Sequence, residues 1–229
     1  MNPTFFRQTA ALVKKDLRRE LRTGETLVTT TAFSVLLMVI FAFAFYRDEQ
    51  TVALVFPGIL WVAVVFAGML AIARTFAREK ESGSLRALAL VPRTQTSLYC
   101  AKLVVNLLFM AVFEAVLVPF LLVAFEVDLG GQLGALIAIL AAGTIGFAAL
   151  GTLISAMLVY NRMRDVLLPL VLFPLYVPLL IGGVRATMLI LEGDRHEAVW
   201  GWARVMLAID GVFIIGALLL FRWVLSAIE

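Results

Sequence analysis

Residues 129–161 carry no charged side chain over 33 positions, and residues 50–73 carry none over 24. Runs of this kind constrain the fold more than any other feature of the chain. A bilayer core about 30 Å thick needs roughly 20 apolar residues in a helix. Backbone polar groups inside it must be paired within the structure, which a helix does on its own. Four further runs have the required length. Residues 26–45 and 166–184 are uncharged, 103–125 contain only Glu114, and 202–220 contain Arg204 and Asp210. The 33-residue run is too long for one untilted span and too short for two, so it is read as one long helix. The expected fold is an all-α membrane protein with six transmembrane helices, at about 26–45, 51–73, 101–125, 132–157, 166–184 and 204–223. Residues 185–201 are open to a partial re-entry.

Composition agrees with this reading. Of 229 residues, 62% are hydrophobic and 15% charged, against about 45–50% and 25% in soluble domains. That balance excludes a disordered chain, a coiled coil, a disulfide-stapled domain and almost any soluble enzyme. One His and one Cys leave no His/Cys zinc cluster and no His/Cys set for holding haem on two ligands. Cys100 has no intrachain disulfide partner. The sequence contains no Gly-x-x-x-x-Gly-Lys-Ser/Thr loop, the motif that cradles nucleotide phosphates. ATP hydrolysis, where the process uses it, therefore belongs to another chain. No cofactor bound by this chain, no metal and no nucleic-acid partner are expected. No repeat or long linker divides the sequence, and residues 1–229 are read as one membrane domain.

Six spans place both termini on one side. The N-terminal segment and the 74–102 connection hold six Lys/Arg each, with Arg162, Arg164 and Arg222 on the same side. Only Arg47, Arg185, Arg195 and Arg204 fall on the other. Fifteen against four predicts cytoplasmic termini and a cytoplasmic 74–102 connection. Ala42-Phe43-Ala44 has the small-x-small form of a signal-peptidase site. The apolar run before it is 20 residues long, beyond the usual ~7–15, so cleavage is not expected.

Residues 5–22 form an amphipathic pattern. At about 100° per residue, Phe6, Ala10, Val13, Leu17 and Leu21 fall on one stripe, with Lys14, Lys15, Arg18, Arg19 and Arg22 opposite. This predicts an interfacial helix with basic side chains toward anionic lipid. The other reading is a soluble helix packed on a partner. Gly24 is placed to stop the helix.

The 74–102 connection has internal structure. Residues 73–81 should continue the second helix out of the membrane. Gly83 can end it in the left-handed conformation, Ser84 can cap a second short helix bearing Leu85, Leu88 and Ala89, and Pro92 stops that helix. A short rigid helix between two spans can transmit motion from a motor seated below the membrane. The alternative is a loop that merely reconnects two spans.

Pro57-Gly-Ile-Leu-Trp-Val-Ala63, Arg74-Thr-Phe76, Glu79 with Gly83-Ser-Leu85, Pro92 and Ala101-Lys102 occur in that order. Together with Pro169-Leu-Val-Leu-Phe-Pro174 and Pro178-Leu-Leu-Ile181, they resemble the CcmB family. Its members are permease subunits of the haem-exporter-type ABC complex of cytochrome c maturation. The departure is Ala73, where an acidic residue was expected beside Arg74.

That resemblance implies an ABC-2-type permease of the bacterial inner membrane, usually with two subunits, without catalysis of its own. It implies a coupling helix between spans two and three, docked on a CcmA-like ATPase through Glu79, Glu81, Gly83, Leu85, Leu88 and Pro92. It also implies CcmC- and CcmD-like subunits, the haem chaperone CcmE, and haem as cargo. Rival readings are an ABC-2-type exporter of a lipid, glycan or drug, and a scaffold that moves with ATP hydrolysis and transports nothing.

Four further features carry alternatives. Ala138, Ala142 and Gly146, with Gly143 and Gly151 nearby, allow close helix approach, within the chain or between subunits. Pro169, Pro174 and Pro178 fit either a static kink or a moving helix. Glu114 lies 12 residues past Lys102, about 18 Å into the bilayer, and is either functional or a hydrogen-bonded structural acid. His196, with Trp200 and Trp202, is either an exposed outer residue beside an aromatic belt or a haem contact.

Overall fold

The computed structural model describes residues 3–44, 49–76, 79–80, 83, 94–193 and 196–226. Among the described residues seven long helices follow one another: α1 Pro3–Thr23, α2 Glu25–Ala44, α3 Glu49–Arg74, α4 Thr94–Ala124, α5 Leu133–Met157, α6 Arg164–Leu191 and α7 His196–Ser226. Among the described residues five helices are long and apolar enough to cross a membrane: α3 over Leu54–Arg74, α4 over Gln95–Ala124, α5, α6, and α7 over Glu197–Phe221. The chain is a multi-pass helical membrane protein.

Glycines set two of the breaks between helices. Gly24 takes φ +62° after α1, and its N–H donates to the Glu20 carbonyl at 2.6 Å. Gly193 takes φ +68° and donates to the Ile190 carbonyl at 3.2 Å, ending α6. Part of the 185–201 segment, left open to re-entry, is thus helix continuous with α6. The segment through Leu191 continues α6, and α7 begins at His196.

Helix α5 lies at the centre, packed on α3, α4, α6 and α7. Its small residues make that possible. A Cβ at Gly143 would overlap Trp61 of α3, one at Gly146 would overlap Asp210 of α7 and Leu179 of α6, and one at Gly151 would overlap Ile72 of α3. Gly183 of α6 lies against the same Trp61 ring. Trp61 is fully buried, and its indole N–H donates to Thr187 Oγ1 at 3.1 Å. The α5 glycines thus serve close packing within the chain.

Helix α6 turns one stripe inward: Leu168, Leu172, Tyr176, Leu179, Gly183, Thr187 and Ile190. Val166, Leu170, Phe173, Val177 and Ile181 are exposed. Pro174 and Pro178 lie on that exposed side, Pro169 is half-buried, and α6 continues through all three. Helix α2 sits at the edge, against α3 and α4.

Helix α1 has three faces. Leu12, Asp16 and Glu20 turn toward the protein, Glu20 being 3% exposed. The basic residues Lys14, Arg18, Arg19 and Arg22 are exposed. Between them runs the apolar stripe, with Phe6 at 58% and Leu21 at 79% exposure. The packed face is therefore a mixed polar one beside the apolar stripe, held against α4.

Candidate functional site

The end of the bundle that carries α1 is built from polar groups that close off α3. A helix leaves its last carbonyls without intrahelical partners. Here Thr75 Oγ1 reaches the Ala71 carbonyl at 3.4 Å, Ser155 Oγ donates to the Ile72 carbonyl at 3.1 Å, and Arg164 donates to the Ala73 carbonyl. Arg164 also reaches Ser155 Oγ at 3.4 Å. A cation there suits the negative end of the helix dipole. Thr75 donates further to Asn106 Oδ1 at 3.0 Å. Asn106 donates in turn to Thr152 Oγ1 at 2.9 Å, tying α3 to α4 and α5. At Ala73 the main-chain carbonyl, held by Arg164, anchors the α3 end.

The α3 helix was expected to continue to Glu81, and this is corrected. It ends at Arg74, and Thr75–Phe76 forms a turn in which the Thr75 N–H donates to the Ile72 carbonyl at 3.1 Å. The cause is Phe76, whose ring is fully buried in a cluster with Tyr99 and Phe221. A helical turn resumes at residues 79–80, and Gly83 follows at φ +66°.

That turn carries Glu79 inward. The Glu79 carboxylate is 4% exposed and accepts from Lys102 Nζ at 2.8 Å and from Lys15 Nζ at 3.1 Å. Lys102, also 4% exposed, donates to Asp16 Oδ2 at 2.9 Å and lies 5.5 Å from the Phe76 ring centre. Burial on its own would raise the Glu79 pKa, but Lys102 and then Lys15 outweigh it and hold the carboxyl below its usual range. Burial likewise opposes the charge on Lys15, yet Asp16 and Glu79 raise its pKa. Two cations and two carboxylates thus join α1, the connection after α3, and α4.

The other expected coupling residues divide. Gly83 is exposed, while Glu81, Leu85, Leu88 and Pro92 lie outside the described residues. Glu79 was expected to face a partner, but its carboxylate is taken up inside the chain. Lys102, Asp16, Arg164 and Asn106 complete the arrangement, although the charge pattern of the sequence did not single them out for it. The available signals were that Lys102 and Arg164 border apolar runs and that Asn106 is an amide inside one.

At the opposite end of the bundle, His196 begins α7. Trp200 is 44% exposed, whereas Trp202 is half-buried and packs on the core. Residues two apart on a helix point to different sides, so the two indoles do not face one pocket together.

In the middle of the bundle, Glu114 of α4 accepts from Thr144 Oγ1 of α5. The Tyr176 hydroxyl of α6 donates to the Gly143 carbonyl at 3.1 Å. Asp210 of α7 is 2% exposed and lies against Gly146. One turn of α5 therefore meets polar groups from three other helices.

The CcmB protein family profile matches residues 7–226. The haem exporter protein B of Paracoccus denitrificans is 31% identical over 176 residues, covering 77% of this chain and 80% of that protein. That of Rhodobacter capsulatus is 29% identical over 187 residues, covering 82% and 85%. That of Pseudomonas aeruginosa is 28% identical over 183 residues, covering 80% and 81%. With a match over nearly its whole length, the chain belongs to the CcmB family.

Proposed function

We propose that this chain is the membrane permease subunit of an ABC-type complex for haem export or delivery in c-type cytochrome biogenesis. The observation that carries the reading is the family match over residues 7–226, with relatives named haem exporter protein B. ATP is hydrolysed on a CcmA-like partner, since the sequence has no phosphate-binding loop. Helix α2, 20 residues long, serves as a sixth span and gives an ABC-2-type arrangement in one membrane domain. The chain sits in a bacterial inner membrane, and the excess of Lys and Arg on one side supports cytoplasmic termini. The full assembly holds two copies of the chain, CcmC- and CcmD-like subunits and the chaperone CcmE.

The geometry supports a mechanical role for the connection after α3. The Glu79–Lys102–Asp16–Lys15 group ties it to α1 and α4, and Thr75–Asn106–Thr152 ties the α3 end to α4 and α5. A push delivered near Gly83 reaches three elements of the bundle through buried polar contacts. Such contacts are costly to leave half-made.

Native-membrane co-purification tests the proposal. An ABC ATPase and haem-handling membrane proteins should come with the chain, and its deletion should abolish assembly of c-type cytochromes. Normal cytochrome c levels in the deletion strain would overturn it.

A further inference from the structure

Asp210 is the one described carboxylate in the bundle whose two side-chain oxygens are both buried without a hydrogen-bond partner. It is 2% exposed and sits on α7 near the middle of the Glu197–Phe221 span. Gly146 makes room for it, because a Cβ there would overlap the carboxylate.

Its surroundings contain acids and no described cation. From α4 comes Glu114, held by Thr144. From α6 comes Tyr176, whose hydroxyl is committed to the Gly143 carbonyl at 3.1 Å and interacts electrostatically with both Glu114 and Asp210. Helix α5 contributes Gly143, Thr144 and Gly146, none of them titratable. The Arg204 side chain on α7 is exposed and donates to the Trp200 carbonyl at 3.2 Å, and Arg185 on α6 is exposed. Lys102 is engaged by Asp16 and Glu79 at the far end of α4.

A buried carboxylate with neither a donor nor a cation is strongly disfavoured, whereas the neutral acid is tolerated. We propose that Asp210, facing the Gly143–Gly146 turn beside Tyr176 and Glu114, is an intramembrane proton-binding site whose occupancy controls the packing of α7 on α5. The carboxylate takes one proton from water and becomes the neutral acid that fits the apolar α5–α7 seam. Loss of that proton leaves a charge that the seam has no group to compensate, and α7 moves away from Gly146 to admit water. The ligand is a proton. Among the described residues no three or more His, Cys, Asp or Glu side chains come together in a group that could hold a metal ion.

The test is infrared spectroscopy of the full chain in lipid nanodiscs, read at the C=O stretch of protonated carboxylic acids. Asp210 is the only aspartate of the sequence in the interior of a span. Carboxyl-13C labelling of all aspartates therefore shifts its band in the unmodified protein and leaves that of Glu114 in place. A 13C-sensitive band should be present at neutral pH, be absent in Asp210→Asn, persist in Glu114→Gln and disappear at alkaline pH. Spin labels at exposed Ile137 of α5 and Val205 of α7 should separate as it disappears. Absence of a 13C-sensitive band at neutral pH would overturn the proposal. So would its loss on adding sodium or potassium at fixed pH, which would make the site a cation site, or its disappearance without separation of the labels.

Discussion

Replacing Lys102 by Met tests whether the ion group after α3 holds that end of the protein together. Met keeps a flexible stem beside Phe76 and removes the charge. Lys102 and Glu79 are each 4% exposed, so water offers little compensation. Lys15, whose side chain is 47% exposed, would remain near both Glu79 and Asp16. Breaking a buried pair by removing one partner costs roughly 3–5 kcal/mol. An ion pair at an exposed cation retains about 0–1 kcal/mol. A loss near the lower end, about 3 kcal/mol, is expected for Lys102→Met.

Equilibrium unfolding in detergent or nanodiscs, followed by tryptophan fluorescence, measures it. Glu79→Gln added to Lys102→Met should recover part of the loss, because it removes one of the two carboxylates that Lys102 had paired. The pH dependence has two edges. Glu79, held below its ordinary value of 4.5, contributes stability above that value and loses it as pH falls through the lowered one. Lys15, held above its ordinary 10.5, contributes fully below that value and loses it as pH rises through the raised one. Between these edges the contribution is flat. A Lys102→Met protein within about 0.5 kcal/mol of the parent, the size of an ordinary surface change, would refute the argument.

Trp61→Ala should destabilise the protein by about 3–5 kcal/mol, read in the same unfolding assay, because it empties the space opened by Gly143 and Gly183. A Cβ at Gly83 would meet nothing within 4 Å among the described residues, but Gly83→Val forces a branched residue to φ +66°, at roughly 1–2 kcal/mol. Cytochrome c maturation should be lost while the chain remains in the membrane, as immunoblots of membrane fractions and haem staining would report. A membrane-impermeant thiol reagent applied to intact cells should label a cysteine at position 48 or 194 and spare one at position 84. Labelling at 84 would reverse the orientation.

How much of this was legible in the sequence depends on what lies outside each helix. Long uncharged runs reveal spans because hydrocarbon demands them, whichever way each residue points. The same fact hides the packed face. On α6, buried Leu168 and Leu172 and exposed Val166, Leu170 and Phe173 are equally apolar, so no period separates core from periphery. Small residues were the better guide, since close helix approach is limited by side-chain size. Gly143, Gly146 and Gly151 announced contact. That contact would be with Trp61, Asp210 and Ile72 required the arrangement of three other helices.

Polar residues were legible as exceptions and illegible in their partners. Glu114 stood out because a carboxylate inside a span is costly, but Thr144 is an unremarked hydroxyl 30 positions away. On α1, the spacing of Phe6, Ala10, Val13, Leu17 and Leu21 described an apolar stripe, of which Phe6, Ala10 and Leu21 are exposed and Val13 and Leu17 half-buried. The protein instead holds the neighbouring face, where Asp16 meets Lys102 at 2.9 Å. Glu79, for which the resemblance implied a partner contact, is paired with Lys15 and Lys102 inside the chain. A charge in a basic loop reads as solvent-facing until the Thr75–Phe76 turn is known, and that turn exists because Phe76 is drawn into the bundle beside Tyr99 and Phe221. In this chain apolar patterning locates the membrane, while the ion pairs and glycine contacts decide which helices touch. The residues best placed to pass motion from the α3 connection into the bundle are therefore polar ones at the ends of apolar helices.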